Sequence, residues 1–363
     1  MGTPFTLWLD DAAASGNPLL GGKFANLAEM TASGVSVPRG FGITTAAYRQ
    51  FLASAGLADE ARRIRLAAAC LEPHQIRNET RSLLEGIATA PLPAQLEQEI
   101  RENYALLGRR CDAPDLPVAV RSSGESEDLA GASFAGQYET FLWICGADAV
   151  LRHVRGCWAG MFGEAVLSYR QDGENVMSKG DFAICVGIQE MVEARAAGVM
   201  FTLDPITGDR SKIVIESCWG LGEGVVKGDV TPSQFTVDKV TFEITGRRIH
   251  PQSHEYRFVA GEDAVRLAPI ETERRDSVCI SDETVRALAQ LAKEIERRRG
   301  APQDIEWAVD RTGAVRVLQV RPETVWSRRE APAVVVAAKS PVAHVLARLS
   351  GVKVTAPVRK NGP

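Results

Sequence analysis

The chain has 363 residues, of which 45% are hydrophobic and 24% are charged, and its formal net charge is −4. This balance predicts a globular protein of two or three domains. It argues against a membrane span, a secretory signal and a dedicated nucleic-acid binder, whose affinity would rest on clustered Lys and Arg. The seven cysteines are widely spaced and form no CxxC motif, so we expect most of them to be buried thiols in a cytoplasmic protein.

The first half of the chain is predicted to be mainly helical. A strand at residues 5–9 and a glycine turn precede a helix in LLGGKFANLAEM, and a second helix is predicted around 45–54. Amphipathic helical stretches, broken at prolines, then extend from about 57 to 107. The other elements predicted in this half are strands at 116–120 and 138–144 and helices at 147–160 and 162–171.

The second half is predicted to be richer in strands. The apolar runs DFAICVGIQEMV, AAGVMFTLD and KIVIESCWG each favour a strand, and SQFTVDKVTFEITGRRI indicates a hairpin that turns at Asp238 and Lys239. The clearest helix is 281–300, with Ser281 as its N-cap. DIEWAVD and VRVLQVRP predict an antiparallel hairpin, and the chain beyond Trp326 is predicted to be a linker and tail.

Arg121 is predicted to stand at the C-terminal end of a strand, ahead of the polar run SSGESED. From there its planar guanidinium could enter a cleft and bind phosphate oxygens through two hydrogen bonds. Gly136 follows in ASFAGQYET, where unobstructed backbone N–H groups can approach a phosphate closely. Taken alone, this stretch also fits a polar surface loop.

Two further stretches are candidates for binding phosphate or metal. Lys23 follows two glycines at the start of a predicted helix, a position that attracts anions, although the spacing is not that of a Walker motif. On the late hairpin, Glu306 and Gln319 offer hard oxygen ligands of the kind that hold Mg²⁺, and Arg321 follows on the same side of its strand as Gln319. Each stretch, taken alone, also fits a charged surface.

The order of these motifs resembles the ATP-binding region of phosphoenolpyruvate synthase and its relatives, pyruvate phosphate dikinase and rifampin phosphotransferase. The resemblance covers roughly residues 15–327. The motifs that carry it are GGK, VPRGFGITTAAY, VAVRSSGESEDLAGASFAGQYETFL, RGCWAGMF, GVMFTLDPITGD, IESCWGLGEGVVKGDVTPSQF and DIEWAVD with LQVRPETVW.

The resemblance implies an α/β (α+β) protein with an ATP-grasp-like fold, in which two lobes close over ATP. The first lobe would comprise residues 1–195, with a helical insertion at about 57–107, and the second lobe, 196–327, would carry the metal ligands. Residues 328–363 would form the linker and tail. In such a family ATP phosphorylates a histidine on a separate swivelling domain and yields AMP and phosphate.

The same resemblance assigns roles to individual positions. Lys23 and Arg121 match basic residues that hold the triphosphate, and Gly136 and Thr140 match the glycine-rich loop that covers it. The remaining matches are Gln189 near the adenine, Glu306 and Gln319 as magnesium ligands, and Arg321 beside them. We therefore expect ATP and Mg²⁺ as cofactors, with Lys23, Arg121 and Arg321 serving catalysis.

The chain also departs from the family pattern. Ala165 stands where the family commonly has an arginine, and no histidine lies in the Gly-Gly-x-Thr/Ser-x-His setting of the phosphorylated histidine. We therefore expect a subunit that phosphorylates a histidine on a partner, similar to the ATP-binding subunit of phenylphosphate synthase. A truncated module of a longer synthase, a non-catalytic nucleotide-binding protein and a self-sufficient small-molecule kinase are the alternatives.

Overall fold

The computed structural model describes residues 3–125, 139–171, 174–175, 182–262 and 264–326. The chain divides into two compact units, residues 1–323 and residues 324–363. All helices and strands given below belong to the first unit. The division into lobes 1–195 and 196–327 and a tail at 328–363 stays a prediction.

The strands of this unit occur mostly in its second half. They are β1 Thr6–Trp8, β2 Gly40–Ile43, β3 Val118–Gly124, β4 Thr140–Ile144, β5 Arg170–Gln171, β6 Glu174–Asn175, β7 Ile184–Glu190, β8 Ala194–Phe201, β9 Lys212–Trp219, β10 Ser233–Asp238, β11 Ile244–Arg248, β12 His254–Val259, β13 Ala264–Pro269, β14 Gln303–Asp310 and β15 Val315–Pro322.

The helices fall mostly between the early strands. They are α1 Gly21–Ala32, α2 Thr45–Ser54, α3 Ala58–Ala67, α4 Pro73–Thr89, α5 Ala94–Arg110, α6 Ala147–Gly160, α7 Glu164–Leu167, α8 Glu223–Lys227, α9 Thr272–Arg275 and α10 Asp282–Arg299. Among the described residues, none of them has both the length and the apolar character that crossing a bilayer requires.

Two antiparallel sheets organise the unit, which confirms the predicted α/β (α+β) class. The first sheet has the strand order β1-β2-β7-β3-β4, and the second has the order β11-β10-β9-β8-β14-β15. The hairpins β12–β13 and β5–β6 form two small additional sheets. The β12–β13 hairpin was not among the sequence predictions.

The first sheet has one apolar face and one face that carries polar side chains. Val118 and Val120 of β3 are fully buried, and they join residues of α2 to α6 in one hydrophobic core. Arg121 points to the opposite face, because successive side chains alternate along a strand. The helical insertion predicted at about 57–107 is confirmed as α3 to α5, which lie on the apolar side.

Helix α1 packs on the polar side of the first sheet, where a glycine makes room for it. A Cβ atom at Gly187 would lie 1.8 Å from Cζ of Phe24, so only a residue without a side chain lets α1 approach this closely. Gly21, at the start of α1, has φ +62°, and a Cβ there would lie 2.1 Å from the carbonyl oxygen of Ser123.

The second sheet packs its apolar face on α10. Val285, Leu288 and Ile295 of this helix are fully buried with Ile305 and Trp307 of β14. The Ser281 hydroxyl accepts a hydrogen bond from the Thr284 amide and so caps the helix, as predicted. The other face of this sheet carries the polar residues that form the candidate site.

Two predicted elements differ from the structure. The helix predicted at 162–171 is reduced to α7, Glu164–Leu167, and the chain is already extended at Arg170. The strand predicted at 116–120 begins at Val118 and continues to Gly124. The prediction ended this strand too early because Ser122 and Ser123 are polar. Both serines are nevertheless buried and pair with β7 as part of the strand.

Candidate active site

Arg121 reaches from the first sheet to the second. Its Nη1 donates a hydrogen bond to the carbonyl oxygen of Leu318 at 2.8 Å, and its Nη2 donates to Oε1 of Gln319 at 3.0 Å. The same Nη2 lies 3.6 Å from Oε2 of Glu306. Only 11% of the Arg121 side chain is exposed, so these contacts form in a cleft between the sheets.

Arg121 stands in the middle of β3, which corrects the prediction that it ends a strand. In the ladder it lies opposite Thr140 of β4 on one side and Gly187 of β7 on the other. Cross-strand partners point to the same face, so Thr140 is an exposed residue on the same face as Arg121. The structure therefore brings these two predicted site residues together, while the role of Thr140 stays a prediction.

Gln189 lies on the same face of the first sheet as Arg121. Its side chain is buried, with 2% of the residue exposed, and its Nε2 donates to the carbonyl oxygen of Pro38 at 3.1 Å. Its Oε1 accepts a hydrogen bond from Nη1 of Arg121 at 3.4 Å. Gln189 thus contacts the Arg121 fork directly, and its predicted place near the adenine is untested.

Glu306 and Gln319 are direct cross-strand neighbours on β14 and β15. Asp304 and Arg321 form the next pair along the same two strands, two residues away from the first pair. Both pairs therefore face the same side of the second sheet. The predicted metal ligands and the predicted phosphate-binding Arg321 lie side by side.

Asp304 was missed by the sequence prediction. Nε of Arg321 donates to its Oδ2 at 2.7 Å, and Nη2 of Arg321 lies 2.6 Å from the same oxygen. Burial raises the pKa of Asp304, an effect that Arg321 opposes and that the negative charge of Glu306 reinforces. The signal was present in the sequence, since Asp304 and Glu306 alternate with the buried Ile305.

Lys23 belongs to the first turn of α1, which is fixed against β3 just beyond Arg121. The Ser123 hydroxyl accepts a hydrogen bond from the Phe24 amide at 3.1 Å and donates one to the Leu20 carbonyl at 2.8 Å. Further along α1, Nδ2 of Asn26 donates to the carbonyl oxygen of Val320 on β15 at 3.2 Å. Helix α1, which carries Lys23 in its first turn, therefore contacts both sheets.

Two positions that the sequence singles out, Gly136 and Ala165, remain to be located. Gly136 lies outside the described residues. Ala165 is an exposed residue of α7. Its neighbours Val166 and Leu167 are buried in the core on the apolar side of the first sheet, the face opposite Arg121. The backbone of residue 165 therefore lies on the opposite side of this sheet from Arg121.

The oxygen donors of this site fit a magnesium ion. Glu306 and Asp304 contribute carboxylates and Gln319 an amide oxygen, all hard ligands that suit Mg²⁺. Oδ1 of Asp304 is buried and has no hydrogen-bond partner in the part of the chain that the structure describes. Within that part, no group of three or more His, Cys, Asp and Glu side chains could enclose a metal. Magnesium suits such a site, since it commonly keeps water and phosphate ligands.

Comparison with known proteins gives one family match and many relatives. Residues 17–340 match the family model described as pyruvate phosphate dikinase, AMP/ATP-binding domain. A probable phosphoenolpyruvate synthase of Staphylothermus marinus is 37% identical over 351 residues, which cover 90% of this chain and 42% of that protein. The phosphoenolpyruvate synthase of Pseudomonas aeruginosa is 40% identical over 333 residues, which cover 86% of this chain and 41% of that protein.

The chain thus spans about two fifths of the length of the curated relatives it matches. Among solved structures, D-alanyl-alanine synthetase A from Vibrio cholerae is 12% identical and covers 67% of this chain and 63% of its own, at a TM-score of 0.21. A TM-score this low does not establish a shared fold, whereas the family match covers most of the chain. The chain belongs to the family of the pyruvate phosphate dikinase AMP/ATP-binding domain.

Proposed function

We propose that this chain binds ATP with Mg²⁺ in the cleft between its two sheets and acts as an ATP-dependent phosphotransferase. The observation that carries the proposal is the contact of Arg121 with Gln319 and its approach to Glu306. This contact joins a phosphate-binding cation of the first sheet to the candidate metal ligands of the second. A triphosphate in this cleft would meet both.

Each of these residues has a distinct task in the proposed reaction. Arg121 and Lys23 bind and orient the phosphates, and Arg321 holds Asp304 in place while its guanidinium faces the same side of the sheet. Gln319 can serve two partners, because an amide oxygen has two lone pairs and Arg121 uses one of them. Magnesium, when bound by Glu306 and Gln319, would supply positive charge against the phosphates.

Positioning and electrostatics would supply most of the catalysis. Phosphoryl transfer depends on aligned groups and on charge stabilisation, and the protein forms few covalent bonds in it. Fixed cations in a cleft interact more strongly with developing charge than cations in water do. The limited exposure of Arg121, 11% of its side chain, places it in such a cleft.

The finer proposal concerns the acceptor. We infer that ATP is converted to AMP and phosphate while a phosphoryl group passes to a histidine on a partner subunit, for onward transfer to a small acceptor such as phenol. The relatives named phosphoenolpyruvate synthase support phosphoryl transfer from ATP as the reaction. The two lobes would close over ATP in the ATP-grasp manner, in the cytoplasm.

The experiment that tests this proposal measures AMP formation by the purified chain with and without a histidine-bearing domain of a phosphoenolpyruvate synthase relative. We expect AMP and acid-labile phosphohistidine only when that domain is present. ATP binding without AMP formation in every mixture would instead support a non-catalytic nucleotide-binding protein. AMP or ADP formation with a small acceptor alone would support a self-sufficient kinase.

A further inference from the structure

A cavity of about 600 Å³ lies between the end of β4, the start of β8 and the β12–β13 hairpin. Its volume falls within the range of ordinary ligand sites, roughly 300–1,000 Å³. Its walls contain the aromatic residues Trp143, Trp219, Tyr256 and Phe258. None of the candidate active-site residues lines it.

The cavity lies away from the candidate metal ligands. Arg311, the residue directly after β14, lines the cavity, and Glu306 of the active site lies five positions earlier, within β14. At about 3.3 Å per residue the two positions are roughly 16 Å apart. Similarly, Ala194 lines the cavity, whereas Val199 further along β8 pairs with Glu306. The cavity is therefore remote from the candidate metal ligands, and competition by ATP tests whether the nucleotide reaches it.

Aromatic rings form a preorganised wall. The rings of Trp143 and Phe258 stack at 4.8 Å between centroids with 9° between their planes. Trp143 has φ 61°, a left-handed conformation that is rare for a bulky residue. Such a conformation costs on the order of 1–3 kcal/mol and persists only where the surrounding structure holds it. The stack with Phe258 is one contact that holds the indole ring at this wall.

Four arginines line the cavity, and one of them has no ion pair with another described residue and can bind a ligand. The Arg274 guanidinium lies 4.2 Å above the Trp219 ring and 3.3 Å from Glu255, and it also lies 3.8 Å from Glu271. Arg257 lies 3.9 Å from Glu255, and Arg311 pairs with Glu193 at 2.8 Å. Arg195 is exposed and, among the residues described, makes no ion pair. The cavity therefore presents aromatic surface next to a cation that can accept an anionic partner.

We propose that this cavity binds a planar aromatic anion, whose ring packs against the wall formed by Trp143 and Phe258 and whose negative group meets Arg195. Aromatic faces suit a flat ring, and an exposed guanidinium suits a carboxylate, sulfonate or phosphate. The aromatic wall and the arginine together define the ligand class. A purely apolar ligand would make no ion pair with Arg195, and an inorganic anion would make no contact with the rings.

The test is calorimetric titration of the full chain with naphthoate. Its neutral analogue naphthamide and the non-aromatic cyclohexanecarboxylate serve as matched probes. We expect naphthoate to bind with a dissociation constant of about 0.1–1 mM, a range suited to a ligand of this size. Both analogues should bind at least about tenfold more weakly, because each lacks one of the two recognised features. Saturating ATP with Mg²⁺ should leave the naphthoate affinity unchanged.

Two variants locate the site. Arg195→Ala removes an exposed cation, and Trp143→Gly removes the ring at a φ that glycine adopts without strain, so both should fold. Each should weaken naphthoate binding at least about tenfold, whereas Arg286→Ala on α10, outside the cavity, should not. Absence of naphthoate binding, competition by ATP, or equal affinity in all variants would each overturn the proposal.

Discussion

Arg121 has two properties that suit a residue proposed to bind phosphate. Its side chain is largely buried, and its guanidinium is held in a fixed orientation. Its guanidinium contacts Gln189 in its own sheet and Leu318 and Gln319 in the other, so its two terminal nitrogens have set directions. Lysine carries the same charge but cannot reproduce two parallel hydrogen bonds. The geometry of the fork, as well as its charge, is therefore expected to matter for phosphoryl transfer.

The first prediction compares two substitutions at this position. Arg121→Ala should lower the rate of histidine phosphorylation by roughly a hundredfold or more, because a charge-assisted phosphate contact stabilises the transition state by ~2–4 kcal/mol. Arg121→Lys should recover only part of that loss. The measurement is single-turnover transfer from ATP to the histidine domain, with Arg286→Ala as the control. Near-native transfer by Arg121→Ala would contradict the assignment.

The second prediction concerns the cysteines, whose environments differ sharply. Cys157, Cys185, Cys218 and Cys279 are buried, and burial raises the pKa of Cys157 and of Cys218 to about 12. A thiol that stays protonated and inaccessible does not react with an alkylating agent. Iodoacetamide at neutral pH should therefore label the exposed Cys70 and Cys145 and spare the four buried cysteines until denaturant is added. Mass spectrometry of tryptic peptides gives the pattern, and early labelling of Cys185 would contradict this packing.

At the scale of elements, the close contact between α1 and the first sheet is decisive for the position of Lys23. Gly187 allows this contact, because a Cβ there would lie 1.8 Å from the Phe24 ring. The third prediction is that Gly187→Ala lowers the free energy of unfolding by about 1–3 kcal/mol through overpacking. It should also weaken ATP binding, since α1 has to shift.

The matched control is Gly222→Ala. A Cβ at Gly222 would lie 3.5 Å from the Cβ of Ala197, an ordinary contact, and its φ of −65° suits any residue. This variant should unfold within about 0.5 kcal/mol of the wild type in urea. Equal stability of Gly187→Ala and the control would show that α1 does not pack against this strand.

The fourth prediction follows from the charged end of α10. Hydrogen bonds from Arg297 and Arg298 lower the pKa of Glu294 from its ordinary value of 4.5 to about 2. A carboxylate with a depressed pKa in the folded state stabilises the protein above pH 4.5, and the contribution is lost as the pH falls towards 2. The melting temperature of the wild type should exceed that of Glu294→Gln near neutral pH, and the difference should disappear in acid. A difference that grows in acid would contradict this sign.

How far the sequence predicts an element depends on whether the signal is local. Helix α10 was predicted to within a residue, because Ser281 and the apolar stripe are local features. The β14–β15 hairpin was predicted for the same reason. The bounds of helix α7 were predicted wrongly, because α7 is a single turn that lies within the longer predicted helix. The β12–β13 hairpin was missed, because it lacks clear alternation. Arg121 was recognised, but its place in mid-strand depends on β7, a distant partner.

At the scale of the whole molecule, the site exists only because two sheets meet. Lys23 and Arg121 come from the first sheet and its helix, and Glu306, Gln319 and Asp304 come from the second. Periodicity could place each residue on a face of its own element. Only the long-range contacts, such as Asn26 with Val320 and Arg121 with Leu318, bring the two faces together. Alternation placed Asp304 on the same face as Glu306, whereas its burial beside Arg321 is visible only in the folded chain.

The most direct test of the account is calorimetric titration of ATP, with and without Mg²⁺, into the wild type, Lys23→Ala and Glu306→Gln. Because Lys23 is assigned to the phosphates and Glu306 to the metal, we predict that Lys23→Ala weakens binding in both conditions. Glu306→Gln should weaken binding at least about tenfold only when Mg²⁺ is present. Wild-type affinity in either variant under magnesium, or a loss in Glu306→Gln that is the same without magnesium, would contradict a single shared site.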